Sequence, residues 1–170
     1  MKNILIIGGT KGIGKSIVDN LVDDNNITCL SRNKLDFQHQ NFVHKEFDAL
    51  SDEYPEMDSL DCLIYCPGSI NLKPISTLTL EDFRNDFEIN VIGAVKAIKK
   101  YLPILKKSLS ASILLFSTVA TKLGMPYHAS VSVAKSGVDG LVKTLGSELA
   151  PKVRINAVSY THLTLPTIYS

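Results

Sequence analysis

A glycine-rich stretch near the start of the chain has the residue types and spacing that bind a diphosphate. The apolar run at residues 4–7 stops at Gly8, and glycines recur at Gly12 and Gly14 before an amphipathic stretch begins. This order predicts a strand, a turn and a helix, in which Gly8 permits the tight turn, Gly12 lets the backbone approach an anion, and Gly14 lets helix and strand pack closely. The first amide groups of the helix and the positive end of its dipole would face the anion. A plain strand-to-helix turn is the alternative, and the flanking pattern favours a nucleotide site.

Two polar side chains fall where the helical pattern requires apolar ones. Asn90 lies on an apolar stripe, and Lys135 extends the apolar face of the next helical stretch towards its start. An amide or an ammonium on a buried face is unfavourable unless a polar group satisfies it. Asn90 could simply bond a neighbouring backbone group, and Lys135 could extend to solvent from the end of its helix. Because both lie near predicted strand ends, we favour a shared site. The stripe around Asn90 consists of Phe83, Phe87, Ala94, Ile98 and Tyr101.

The elements that must position these residues alternate along the chain. Apolar strand patterns occur at residues 3–7, 27–30, 42–47, 62–66, 112–117 and 154–158, and helical patterns at 15–22, 80–107 and about 130–149. This alternation predicts an α/β fold, a doubly wound, Rossmann-like parallel sheet of about six strands. The ligand crevice should lie at the carboxyl ends of the strands, where the hydroxyls of Ser117 and Thr118 close the fifth strand. We expect residues 69–79 and 121–128 to be irregular loops.

Composition and charge narrow the range of partners. The chain has 170 residues, of which 45% are hydrophobic, and a formal net charge of +1. It can bury one core, and its charge creates no field that would attract nucleic acid or an anionic membrane. The apolar runs are too short to span a bilayer. Cys29, Cys62 and Cys66 are an odd number in apolar contexts, which predicts free thiols in a reducing cytoplasm and no metal site.

Taken together, these motifs resemble the short-chain dehydrogenase/reductase family over residues 1–158. Residues 7–14 are similar to its Thr-Gly-x-x-x-Gly-x-Gly loop, and Gly68 matches the last residue of its Asn-Asn-Ala-Gly motif. The resemblance implies an oxidoreductase that acts on a small-molecule carbonyl or alcohol and forms a homo-oligomer. It implies catalytic roles for Asn90, Thr118 and Lys135. It implies cofactor contacts from Gly8, Thr10, Lys11, Gly12, Ile13, Gly14, Ser31, Arg32, Asp48, Ala49, Gly68 and Lys135.

One departure from the family pattern concerns the proton donor. The family's general acid is a tyrosine four residues before the lysine, and Val131 occupies that position. Valine cannot transfer a proton, so the resemblance retains three of four roles. Tyr127 and His128 precede the helix and could reach a substrate from a bent loop, or they could be an ordinary loop aromatic and a solvated histidine. A catalytically inactive cofactor-binding sensor or scaffold is therefore the alternative function.

The residues after the second predicted strand favour NADP(H) over NAD(H). An acidic residue commonly ends this strand in NAD-binding folds, where it holds the ribose hydroxyls. Here Ser31 is followed by Arg32, and Lys11 lies in the glycine turn, so two cations can pair with a 2′-phosphate. The alternative is that Arg32 and Lys11 are solvated surface cations.

The last twelve residues do not fit the pattern of the preceding ones. Residues 159–170 show no helical or strand period and resemble the translated read-through of a synthetic sequencing adapter. We therefore expect a dinucleotide-binding domain at residues 1–158 and a non-native tail at residues 159–170.

Overall fold

A six-stranded parallel sheet lies at the centre of the structure, a computed structural model that describes residues 1–159. The strand order is β3-β2-β1-β4-β5-β6, and every neighbouring pair is parallel. The predicted fold class is confirmed, and each predicted strand is present with ends within one residue. The expected tail, apart from Ser159, lies outside the described residues. The strands are β1 (Asn3–Ile7), β2 (Asn26–Ser31), β3 (Phe42–Glu46), β4 (Cys62–Tyr65), β5 (Ala111–Phe116) and β6 (Val153–Val158).

Helices follow β1, β4 and β5, whereas β2 and β3 are each followed by a loop. They are α1 (Gly12–Leu21), α2 (Leu80–Phe87), a π-helical turn (Glu88–Ile92), α3 (Gly93–Leu105), α4 (Ala120–Leu123) and α5 (Ala129–Leu149). α1 begins three residues earlier than predicted, because the glycines of the turn already form its first turn. The expectation of an irregular loop at residues 121–128 is wrong in its first part, since the short helix α4 follows β5.

The predicted apolar stripe is interrupted by the π-helical turn. Phe87 is 40% exposed, whereas Asp86 has no exposed surface and Asn90 is 2% exposed. A π-helical turn contains more residues per turn than an α-helix, so it rotates the residues before it relative to those after it. The stripe is therefore correct in α3, where Ala94, Ile98 and Tyr101 are buried, and wrong at Phe87.

The two faces of the sheet are covered by different helices. Leu5 and Ile7 of β1 belong to the buried cluster that includes α3 and α5. The alternate residues Ile4 and Ile6 pack against Val18 of α1 on the opposite face. This alternation is that of a doubly wound sheet, and it leaves the carboxyl ends of the strands free to form a site. No helix within residues 1–159 has the length and apolar character needed to cross a membrane.

Candidate active site

The glycine turn has a backbone that other residues adopt poorly. Gly8 and Gly12 have φ angles of 79° and 51°, in the left-handed region that favours glycine. A Cβ atom on Gly14 would lie 2.2 Å from the carbonyl oxygen of Gly8, so the start of α1 lies directly against the end of β1. Lys11, the residue before α1, makes no side-chain capping hydrogen bond. The amide groups of the first turn are thus not capped by that side chain. A Cβ on Gly12 would meet no atom of residues 1–159 within 4 Å.

A cleft of about 280 Å³ opens at the carboxyl ends of β1, β2 and β4. It lies where the strand order reverses, between β1 and β4, which is the ligand position in open α/β sheets. Gly12, Ile13 and Gly14 are absent from its lining and form the beginning of α1 beside it. Eight predicted cofactor residues line the cleft: Gly8, Thr10, Lys11, Ser31, Arg32, Asp48, Ala49 and Gly68.

Lys135 and Asn90 meet beside Gly68, at one edge of this cleft. A Cβ on Gly68 would lie 2.9 Å from Oδ1 of Asn90 and 3.4 Å from Nζ of Lys135. The Lys135 ammonium donates a hydrogen bond of 2.8 Å to the carbonyl oxygen of Phe116, the last residue of β5. The Lys135 ammonium is therefore held against the end of β5, and the side chain is only partly exposed. Thr118 lies two residues beyond Phe116, and its hydroxyl accepts a bond of 3.3 Å from the amide of Ala120.

Asn90 makes a local backbone contact and a longer-range one. Its Nδ2 donates to the carbonyl oxygen of Asp86 at 2.8 Å and to the hydroxyl of Ser69 at 3.2 Å. Its Oδ1 is buried and has no hydrogen-bond partner within residues 1–159. The simple alternative, a bond to a neighbouring backbone group, is thus present for one end of the amide, and the other end faces Gly68.

Sequence reasoning missed a buried carboxylate in this region. Oδ1 of Asp86 accepts hydrogen bonds from Ser69 at 2.5 Å and from Asn71 at 3.0 Å. Oδ2 is also buried and has no partner in the described part of the chain. The available signal was the spacing of Asp86 four residues before Asn90, which places both on one face of a helix. A charged residue in an amphipathic helix is normally assigned to the solvent face, so this signal was not used.

The environment of Lys135 changes its acidity. Burial lowers the pKa of Lys135 from its ordinary value near 10.5 to about 8, against the opposing attraction of Asp139 and Asp86. Burial also raises the pKa of the nearby Cys66 thiol to about 12, so that thiol is neutral near pH 7. The Lys135 ammonium is thus a stronger acid in this site than in water.

Val131 and the two loop candidates have different surroundings. Val131 is 4% exposed and lies one helical turn before Lys135 on α5. Tyr127 and His128 line a second cavity of about 520 Å³, which shares no lining residue with the first cleft. Tyr127 has a φ of 65°, and its carbonyl oxygen accepts a bond from the amide of Lys73. Tyr127 and His128 thus line a different cavity from the one that Gly68 lines, and their role as proton donors stays a prediction.

The residues predicted to choose between NADP(H) and NAD(H) lie at the rim of the cleft. The Ser31 hydroxyl donates to the carbonyl oxygen of Asn33 and lies 2.9 Å from Nε2 of His44, so internal groups already engage it. The Arg32 side chain is 77% exposed, and its Nη1 lies 4.0 Å from Oδ2 of Asp48. Lys11 is also exposed on this rim. Two cations thus face the outer part of the cleft.

Known proteins share this fold and sequence pattern. A family model described as enoyl-(acyl carrier protein) reductase matches residues 9–167. The 3-oxoacyl-(acyl-carrier-protein) reductase FabG of Buchnera aphidicola subsp. Baizongia pistaciae is 25% identical over 179 aligned positions, covering 93% of this chain and 72% of that protein. A tropinone reductase homolog of Arabidopsis thaliana is 28% identical over 186 positions, covering 97% and 70%.

A solved structure is also similar to this chain in fold and sequence. ElxO with NADP bound superposes with a TM-score of 0.84 at 26% identity, covering 94% of this chain and 73% of that one. The family match spans nearly the whole chain, and the fold and motifs agree with it. The chain therefore belongs to the short-chain dehydrogenase/reductase family, whose members are oxidoreductases.

Proposed function

We propose that this protein is an NADP(H)-dependent oxidoreductase that interconverts a small carbonyl compound and its alcohol, with a proton donor other than a tyrosine at position 131. The observation that carries this proposal is the meeting of Lys135 and Asn90 at Gly68, a residue that also lines the cleft. A lysine directed inward at the edge of a cleft, beside a buried amide, can hold a polar ligand and take part in proton transfer. NADP in the related ElxO supports the choice of cofactor.

The residues of the cleft fit a dinucleotide. The glycine turn leaves open space at Gly12, and the uncapped start of α1 offers amide groups to a diphosphate. Asp48 and Ala49 would hold the adenine, and Arg32 and Lys11 would pair with the 2′-phosphate. Lys135 would hold the ribose next to the nicotinamide. NADPH, when bound, supplies the hydride.

Side chains of this protein would carry out the steps other than hydride supply. The Thr118 hydroxyl would donate a hydrogen bond to the substrate oxygen and stabilise the negative charge that develops there. Asn90 would hold the loop after β4 in place through Ser69. Val131 contributes an apolar wall beside Lys135 and no proton.

Exchanging Arg32 for alanine tests the cofactor preference. We expect Arg32→Ala to weaken NADPH binding by about 1.5–3 kcal/mol, since it removes a charge-assisted contact to the 2′-phosphate. NADH binding should change little, because NADH lacks this phosphate. The matched control is Arg84→Ala, which removes an arginine of similar exposure (73%) on α2, away from the cleft. Equal losses for NADPH and NADH, measured by equilibrium titration, would reject the 2′-phosphate role.

Turnover tests the proposed reaction. The full chain is incubated with NADPH and a panel of aldehydes and ketones, and the absorbance of the reduced nicotinamide is followed. We expect NADPH consumption that depends on one or more of these carbonyl compounds.

A second candidate is an inactive NADP(H)-binding sensor or scaffold, and the buried Val131 favours it. It predicts tight NADPH binding with no consumption across a broad panel. That combination would contradict an oxidoreductase and leave the binding role intact.

A further inference from the structure

Asp86 is an acidic side chain that is fully buried near the proposed reaction site, and its burial needs a physical explanation. Within residues 1–159 it has no exposed surface, two hydrogen bonds to Oδ1 and none to Oδ2. An isolated buried charge is strongly unfavourable unless an opposite charge compensates it. The ammonium that the Asp86 charge acts on is Lys135. No direct ion pair joins the two within residues 1–159, so the influence of Asp86 on Lys135 acts through space.

Asn90 lies between Asp86 and Lys135 and is hydrogen-bonded on the Asp86 side. Its Nδ2 donates to Ser69, which in turn donates to Asp86. Its Oδ1 and the Nζ atom of Lys135 both lie within 3.4 Å of one point, the position that a Cβ on Gly68 would occupy. Asp86, Ser69 and Asn90 thus form a hydrogen-bonded row that ends next to Lys135 at the edge of the cofactor cleft.

Lys135 is chemically able to act as an acid. Burial lowers the pKa of its ammonium to about 8, near the range in which a general acid works best at neutral pH. The ionisable groups that face it are Asp139 on the following turn of α5, Asp86 on α2, and the neutral thiol of Cys66 after β4. Both carboxylates favour the charged form, and the burial opposes it.

We propose that Lys135 itself donates the proton that the family's tyrosine would supply, and that Asp139 together with the buried Asp86 favours the charged ammonium until it does so. The proposal rests on the proposed oxidoreductase function. As the carbonyl carbon receives the hydride that NADPH supplies, the electron pair of the C=O π bond moves to the oxygen. That oxygen takes a proton from Nζ of Lys135, so an O–H bond forms and an N–H bond breaks. The neutral amine then takes a proton from solvent.

The variant Asp86→Asn separates charge from structure. Ser69 and Asn71 both donate to Oδ1, and Oδ2 has no partner among the described residues, so asparagine can keep both bonds and lose only the charge. In the reductive direction, kcat/KM of the full chain should fall above about pH 8, because the ammonium is lost there. In Asp86→Asn the fall should begin at a lower pH, since loss of the Asp86 charge lowers the pKa of Lys135 further. The control Asp24→Asn, an exposed position after α1, should leave the profile unchanged.

Two further variants complete the test. Asp139→Asn removes the other carboxylate that faces Lys135 and should move the pH profile in the same direction. Lys135→Arg keeps a cation for the ribose and holds its proton too tightly to donate it. We expect kcat to fall roughly 10²–10⁴-fold while the NADPH dissociation constant changes less than about tenfold.

The outcomes separate this proposal from the one on which it rests. An active wild-type enzyme whose profile stays in place in both aspartate variants, or an active Lys135→Arg variant, rejects the role of Lys135 as acid and keeps the oxidoreductase. A wild-type protein that does not consume NADPH with any carbonyl compound of the panel rejects both the oxidoreductase function and the role of Lys135 as acid.

Discussion

Gly14→Ala should destabilise the protein by about 3 kcal/mol or more and abolish NADPH binding. The added Cβ would lie 2.2 Å from the Gly8 oxygen and 3.0 Å from the Gly8 carbonyl carbon and the Cα of Gly9. All three are backbone atoms, so no side chain can rotate away, and α1 must move from the end of β1. Overpacking of this kind typically destabilises by about 1–3 kcal/mol, and more where the backbone must shift. The same movement would displace the amide groups that face the diphosphate.

The control for this prediction is Gly140→Ala in α5. A Cβ there would meet no atom within 4 Å, so the substitution adds helix propensity without a clash. We expect it to stabilise the protein by about 0.5–1 kcal/mol and to leave NADPH binding unchanged. Urea unfolding and NADPH titration of both variants provide the comparison. A Gly14→Ala variant as stable as wild type would contradict the close packing of α1 on β1.

Lys135→Met should remove activity and increase stability together. We expect kcat to fall roughly 10²–10⁴-fold, since the variant loses both the cofactor contact and the proposed proton donor. At pH 7 the free energy of unfolding should rise by up to about 3 kcal/mol, because the native state holds the ammonium with a pKa of about 8, against 10.5 when unfolded. Partial exposure of the side chain reduces this figure.

The stability difference between wild type and Lys135→Met should depend on pH in a defined direction. Between about pH 8 and pH 10.5, the native wild-type protein has released the Lys135 proton and the unfolded chain still binds it. Wild-type stability should therefore rise with pH through this window relative to Lys135→Met. Below pH 8 the difference should be constant and favour the variant. Urea unfolding of both proteins at several pH values measures it, and a variant less stable than wild type at pH 7 would contradict the buried, weakened ammonium.

Much of the fold followed from local patterns in the sequence. The short apolar runs and the glycine turn predicted every strand of the described sheet, because strand period and turn chemistry are properties of neighbouring residues. The π-helical turn at Glu88–Ile92 was not predictable in this way. The apolar residues on either side of it follow an ordinary helical period, so nothing in that pattern marks the turn.

The site was predictable in its parts and not in its assembly. Asn90 and Lys135 could be recognised as polar residues on apolar faces, and the family resemblance supplied Thr118. That Asn90 and Lys135 meet at Gly68 depends on three elements far apart in the chain, so it required the structure. Asp86 was not predicted, because an aspartate in an amphipathic helix is ordinarily placed on the solvent face and its spacing from Asn90 does not by itself show burial.

Equilibrium titration of the full chain with NADPH and with NADH, followed by nicotinamide fluorescence, tests the central claim most directly. The cleft geometry predicts saturable binding of one NADPH per chain, at least about tenfold tighter than NADH, which matches a charge-assisted contact of about 1.4 kcal/mol. Absence of saturable binding by either nucleotide would contradict the assignment of the glycine turn and cleft as a dinucleotide site.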